Sequence, residues 1–288
     1  MPIKKLNICH ALTGEHSPIF RELIELIIEC LQGGGVQVSY TPNDIISGWL
    51  NVIVGGTMFL SPEIFIRIRE LAHSYIVFQL EALDSEQGFS PNRSAYFDFL
   101  RGAKQIWDYS PQNTRHLAQL GLTNARYIPV GYSPRLERVI DLVEQDIDIL
   151  FYGAINPRRR KIVEELQLCG FKTAVLFGKY GPARDTFIAR TKIQLNIHQF
   201  ETSHIEQLRL AYLLNNKRFV ISETSEDNPY GDGVVFSDYK DIVASCAYYL
   251  KPEMGAERLR IAKLGYDRLR QIPMTNSIMN ALAEVALG

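Results

Sequence analysis

The sequence predicts an α/β chain of two Rossmann-like, doubly wound domains facing each other across a cleft. Three observations carry this. Short apolar runs alternate with amphipathic helical stretches through the first half, and the alternation restarts at residue 147. The length, 288 residues, suits two domains of ordinary size. Strands that alternate with helices build parallel sheets covered on both faces.

The first half reads in order. Leu6–Ala11 is a short apolar strand. Residues 17–31 form an amphipathic helix whose apolar face is Phe20, Leu23, Ile24, Ile27 and Leu31, and Gly33, Gly34 and Gly35 end it. Strands follow at 36–40 and 51–54, a helix at 62–72, and strands at 75–80, 105–109 and 126–130, with a helix at 111–120 between the last two. Residues 133–146 read as a linker between an N-terminal domain, 1–132, and a C-terminal one, 147–288. In the second half strands are expected at 147–152, 173–178, 193–198, 218–222 and 233–236. Helices are expected at 157–169, 183–191, 203–215, 239–250, 256–271 and 275–286. The last helix is free to pack back on the first domain.

Composition bounds the function. Net charge is −1, so no global field favours nucleic acid, and an anion site must be local. Cys9, Cys30, Cys169 and Cys246 are scattered without a C-x-x-C pair, which suits a reducing compartment. The N-terminus runs straight into a strand with no signal-peptide pattern, and no uncharged stretch of about 18 apolar residues is present. A cytoplasmic location is expected, with room for peripheral membrane association. No P-loop, no G-x-G-x-x-G after the first strand, no G-x-S-x-G elbow and no metal-ligand spacing occurs. No metal and no cofactor is therefore expected.

In open parallel sheets ligands sit beyond the carboxyl ends of the strands, so the strand exits are the positions to read. Strand 147–152 exits to Gly153, then to Asn156-Pro157, a cap followed by proline at the first helical position. Arg158, Arg159, Arg160 and Lys161 come next. Cations in a first turn oppose the helix dipole by roughly 0.3–1 kcal/mol each. Nothing nearby in sequence neutralises them; an anionic ligand would, and so would water around a solvated basic turn. The other exits carry Lys179 and Tyr180, then His198 with Glu201 close behind, then Glu223. Cations for phosphates and carboxylates for ribose hydroxyls suit a nucleoside diphosphate. Ser203-His204-Ile205-Glu206 reads either as a capping box or as a helix start whose free N–H groups face a diphosphate, with Arg209 one turn on.

In the first half, Glu15 and His16 follow the first strand beside Gly14, and Glu81 ends a strand in which Tyr75, Val77, Gln79 and Glu81 share a face. These three are the candidates for a catalytic base on the acceptor side; Glu15 and His16 also suit an ordinary helix cap. Asp108 or Ser110 is placed to cap helix 111–120.

The second half, over residues 147–250, resembles the nucleotide-binding domain of GT-B glycosyltransferases, closest to the group-1 and CgeB-like branch. The segments that carry this are Gly-x-x-x-Pro-Arg-Arg, "LFGKYG", "KIQLNIH", "EQLRLAYLLNNKRFVISE" and "GVVFSDYKDIVASCAYYL". The first half is similar in pattern, with "VFQLEALD" and "WDYSPQN" like bacterial members. The resemblance implies a nucleoside-diphosphate-sugar donor (UDP or GDP) in the C-terminal domain and a glycan, lipid-linked or other hydroxyl acceptor in the N-terminal one. It places Arg158–Arg160 and Lys179 at the diphosphate, His198 near the sugar or phosphate, and Glu206 near the ribose. Two departures stand out. A family glutamate eight residues after Glu201 is Arg209 here, and a small Ala-x-Gly turn is Asn215-Asn216-Lys217, where asparagine tolerates a left-handed turn, so the fold is expected to survive the change. The same architecture also serves sugar-nucleotide epimerases and non-catalytic binding modules.

Overall fold

A computed structural model describes residues 3–10, 18, 20–55, 62–71, 74–83, 93–141, 144–201 and 204–287. The chain divides into two compact units, residues 1–130 with 273–288 and residues 131–272.

The first unit begins β1 (Lys5–His10), α1 (Arg21–Gly33), β2 (Gln37–Tyr40), β3 (Leu50–Val54) and α2 (Pro62–Leu71). It continues β4 (Tyr75–Gln79), α3 (Arg93–Gly102), β5 (Gln105–Asp108), α4 (Pro111–Gln119) and β6 (Ala125–Tyr127). The six strands form one parallel sheet in the order β2-β1-β3-β4-β5-β6. Residues 75–81 do not alternate as the sequence suggests. Every residue of β4 is buried, because a central parallel strand is covered on both faces. Helix α3 was not expected; its Tyr96, Phe99 and Leu100 fill the core with Ile53, Val77, Ile106 and Leu117. Burial of each such side chain stabilises by roughly 1.5–3 kcal/mol.

The second unit contains β7 (Ile147–Tyr152), α5 (Pro157–Leu168), β8 (Thr173–Leu176), α6 (Pro182–Ala189) and β9 (Thr191–Asn196). After these come α7 (Gln207–Asn215), β10 (Val220–Glu223), β11 (Val235–Ser237), α8 (Ile242–Leu250) and α9 (Gly255–Leu269). Its parallel sheet runs β11-β10-β9-β7-β8. The core packs Ile149, Phe151, Ile193, Leu195 and Ile221 of the strands against Ile162, Leu166, Ile242 and Ile261 of the helices. Residues 131–146 group with this unit. Asn215 and Asn216 hold them: Asn215 exchanges two hydrogen bonds with the Ser133 backbone, and Asn216 Oδ1 accepts from the N–H groups of Arg138 and Val139.

The left-handed residue of that turn is Lys217, at φ 52°, and neither asparagine takes it. Asn215 has its amide committed to Ser133 and Asn216 has its own committed to residues 136–139 and Tyr212 O, and Asn216 sits at φ −101°. The last helix, α10 (Met274–Leu287), belongs to the first unit and packs on α1, with Met279 against Gly34.

Candidate functional site

The carboxyl edge of the second sheet gathers most of the predicted residues. Asn156 caps α5: its Oδ1 accepts from Arg159 N–H at 2.9 Å, with Pro157 at the first position. Two of the arginines behind it, Arg158 and Arg159, are paired within the chain, which corrects for them the expectation that nothing nearby neutralises the cluster. Arg158 forms a two-pronged ion pair with Glu223, donates to His198 O at 3.2 Å and stacks 4.0 Å from the Tyr239 ring centroid. Arg159 is buried. It donates to Ile197 O at 2.9 Å, Ala154 O at 3.0 Å and Glu206 Oε1 at 2.7 Å. Burial lowers its pKa to about 10, opposed by Glu206, so it stays charged at neutral pH. Arg160 is exposed. The pairings were hidden because Glu223 lies 65 residues from Arg158, and Glu206 lies 47 from Arg159.

Helix α7 starts at Gln207, not at 203, and Glu206 makes no capping hydrogen bond. The capping-box reading rests on Ser203, outside the described residues; the Glu206 carboxylate itself is shared between Arg159 and Arg209, two charge-assisted pairs. Arg209 also donates to Asn196 Oδ1 and lies beside Gly153, whose φ is 137°. A Cβ at Gly153 would stand 2.9 Å from Arg209 Nη2. Arg158, Arg159 and Arg209 thus face Glu206 and Glu223, leaving one positive charge in excess.

His198 is buried past the end of β9. Its N–H donates to Glu223 Oε2 at 3.0 Å, and its Nε2 lies 3.2 Å from both Thr224 O and Ser225 Oγ. Glu223, which also suited a solvated strand exit, is buried in β10. Lys179 is exposed in the loop after β8, beside half-buried Tyr180. His204 is half-buried and Ile205 buried in the turn before α7, and Glu201 is exposed. Ser203 lies outside the described residues.

In the first unit, Glu15 and His16 also lie outside the described residues. Glu81 is half-buried just past β4, and burial raises its carboxyl pKa to about 7. Its backbone is clamped: Glu81 N–H donates to Gln79 Oε1 at 2.7 Å, and Glu81 O accepts from Asn113 Nδ2 at 2.7 Å. The clamp rests on Asp108, whose Oδ2 accepts from Asn113 Nδ2 at 2.9 Å and Gln79 Nε2 at 3.2 Å. Burial pushes Asp108 up to about 8 against these bonds. Of the two capping candidates Ser110 is the cap, accepting from Asn113 N–H. Sequence reading missed Gln79 as a clamp, and missed His10, buried at the end of β1 with Phe20 edge-on at 5.7 Å. A titratable residue ending the strand directly after Ile8-Cys9 was the available signal for His10.

Among the described residues no group of His, Cys, Asp or Glu is arranged to hold a metal ion, and no helix is long and apolar enough to cross a membrane.

The fold is that of the GT-B glycosyltransferases. An α-glucosyltransferase in complex with UDP and a 13-mer DNA aligns at TM-score 0.64 and 9% identity, covering 98% of this chain and 99% of its own. Anabaena Alr3699/HepE, in complex with UDP and glucose, aligns at 0.61 and 9% identity over 99% of both chains. The UDP-GlcNAc 2-epimerase from Neisseria meningitidis, bound to UDP-GlcNAc, aligns at 0.50 and 9% identity over 98% of this chain and 100% of its own. No family model matches the chain. Two proteins of Acanthamoeba polyphaga mimivirus are similar in sequence. "Uncharacterized protein R358" is 36% identical over 151 residues, 49% of this chain and 51% of its own. "Uncharacterized protein L140" is 27% identical over 175 residues, 58% and 54%. The chain thus spans about half the length of these relatives.

Proposed function

We propose that the chain transfers a sugar from a nucleoside-diphosphate-sugar donor to a hydroxyl acceptor. The observation that carries this is the convergence of Arg159 and Arg209 on Glu206 beside Gly153, at the carboxyl edge of a parallel sheet with the GT-B fold. The excess positive charge there suits a leaving diphosphate, stabilised as charge develops on it. Exposed Arg160 and Lys179 are the cations available for direct contact; Arg158 and Arg159 serve as positioning residues. In this reading the first unit binds the acceptor. Glu81 takes the proton of the acceptor hydroxyl, the acceptor oxygen bonds to the anomeric carbon, and the bond from that carbon to the diphosphate breaks. A carboxyl with a pKa of about 7 is matched to that base role.

Thermal-shift measurements with UDP, GDP and their sugar conjugates test the donor half. Stabilisation by one nucleoside diphosphate, reduced in Lys179→Ala, is expected; no response to any of them sinks the proposal. The likeness to an epimerase favours one second reading, conversion of a nucleotide sugar without an acceptor. Product formed with acceptor omitted selects it, and stabilisation without any turnover selects a binding module.

A further inference from the structure

An open groove of about 980 Å³ lies in the second unit where β9 and β10 begin, at the opposite sheet edge from Arg159 and Glu206. The whole chain carries a net charge of −1, yet six cations, Lys192, Lys217, Arg218, Arg258, Lys263 and Arg270, line this groove; among the described residues Asp141, Asp267, Asp148 (paired with Lys192) and Glu137 (beside Lys217 and Arg270) face them, which leaves two positive charges in excess.

Two features set it apart from a solvated basic surface. Arg218 is only 6% exposed. Its Nη2 donates to Val139 O and Asp141 Oδ1, but its Nε has no partner among the described residues. A buried guanidinium N–H without an acceptor is costly, and an incoming anion supplies one. Its present partner is a weak competitor, since the Asp141 side chain is 84% exposed.

The second feature is Lys217. It holds a left-handed backbone, φ 52°, that glycine would adopt without strain. That backbone brings the Lys217 ammonium to 4.6 Å from the Tyr266 ring centroid. Lys263, Tyr266 and Arg270 lie at helical spacing along α9 and its end, so they form one row along the groove.

We propose that this groove is a second anion site, taking a small phosphate-bearing ligand with at least two negative charges. Arg218 Nε is the buried donor, and Lys217, Lys263 and Arg270 supply the outer charge. The groove lies at the other sheet edge from Arg159 and Glu206, so anion binding there does not depend on glycosyl transfer.

Isothermal titration of the full chain with pyrophosphate tests it. Lys217→Gly is expected to weaken binding roughly tenfold, the scale of one charge-assisted contact. The same variant does not lower Tm, because the turn relaxes. Lys263→Gln, an exposed position on α9, repeats the loss should Lys217→Gly perturb the turn. Lys104→Gln, an exposed position in the first unit, leaves the affinity unchanged. Wild-type affinity in both groove variants overturns the site, and so does loss of binding in Lys104→Gln instead. Binding to phosphatidylglycerol vesicles with no response to free pyrophosphate also overturns it, since that marks a membrane surface rather than a small-ligand site.

Discussion

Arg159 donates to Glu206 at 2.7 Å and ties the first turn of α5 to the start of α7. The pair is asymmetric. The Arg159 side chain is buried, and that of Glu206 is 27% exposed. Removing the carboxylate strands a buried guanidinium; removing the guanidinium leaves a carboxylate that water and Arg209 still reach. Glu206→Ala is therefore expected to cost about 3 kcal/mol, the lower end for breaking a buried pair. Arg160→Ala, in the same turn but exposed, is expected to stay within about 0.5 kcal/mol. Urea unfolding of the two variants checks the contrast. Equal costs would refute the assigned pairing.

Glu81 gives a pH prediction with a defined sign. Its carboxyl is raised from 4.5 to about 7 by burial. The folded state therefore holds the proton more tightly than the unfolded one. The resulting stability is fully present below about pH 4.5 and is lost as pH rises through about 7. Asp108, raised to about 8, adds a decline of the same sign. Glu81→Gln should flatten the part between pH 4.5 and 7 and leave the Asp108 part. Transfer activity should run the opposite way, rising through about pH 7 as Glu81 ionises, and vanish in Glu81→Gln. A pH–rate profile unchanged in that variant removes Glu81 as the base.

Gly153 ends β7 at φ 137°, in a region closed to L side chains, and a Cβ there would meet Arg209 Nη2 at 2.9 Å. Gly153→Ala combines backbone strain with displacement of Arg209 from Glu206 and Asn196. A loss of roughly 1–3 kcal/mol is expected, with weakened nucleotide binding if Arg209 serves the donor. Thermal unfolding and nucleotide titration read the two effects separately. A neutral substitution would mean that Arg209 is free to move.

These outcomes show what was legible in the chain and what was not. The β7–α5 unit was readable because every signal there is local: an apolar run, a glycine, Asn156 as cap and Pro157 at the first position. Helix α3 was not, since Tyr96, Phe97, Phe99 and Leu100 crowd four large apolar residues into five positions and blur the helical period. The start of α7 falls four residues later than the local signal Ser203-x-x-Glu206 suggests, and the Glu206 carboxylate pairs with Arg159, 47 residues away. The strand-exit rule thus located Glu206, Glu223 and the arginines, but the pairing among them is a tertiary property that spacing does not encode.

Asn216 offers the sharpest test of how residues 131–146 are held. All four of its amide positions are used: Oδ1 accepts from Arg138 N–H at 2.7 Å and Val139 N–H at 2.8 Å, while Nδ2 donates to Leu136 O at 2.9 Å and Tyr212 O at 2.8 Å. No other side chain of this size offers two donors and two acceptor sites on one short stem. Asn216→Asp keeps the acceptors but turns a carboxylate oxygen toward two carbonyls. It is expected to destabilise as much as Asn216→Ala, about 2–4 kcal/mol, because each leaves buried backbone groups unpaired. Hydrogen exchange at the Arg138 and Val139 amides separates the two. Both amides lose protection in Asn216→Ala, whereas Asn216→Asp retains part of it. Protection unchanged in Asn216→Ala would show that these amides are held by something other than Asn216.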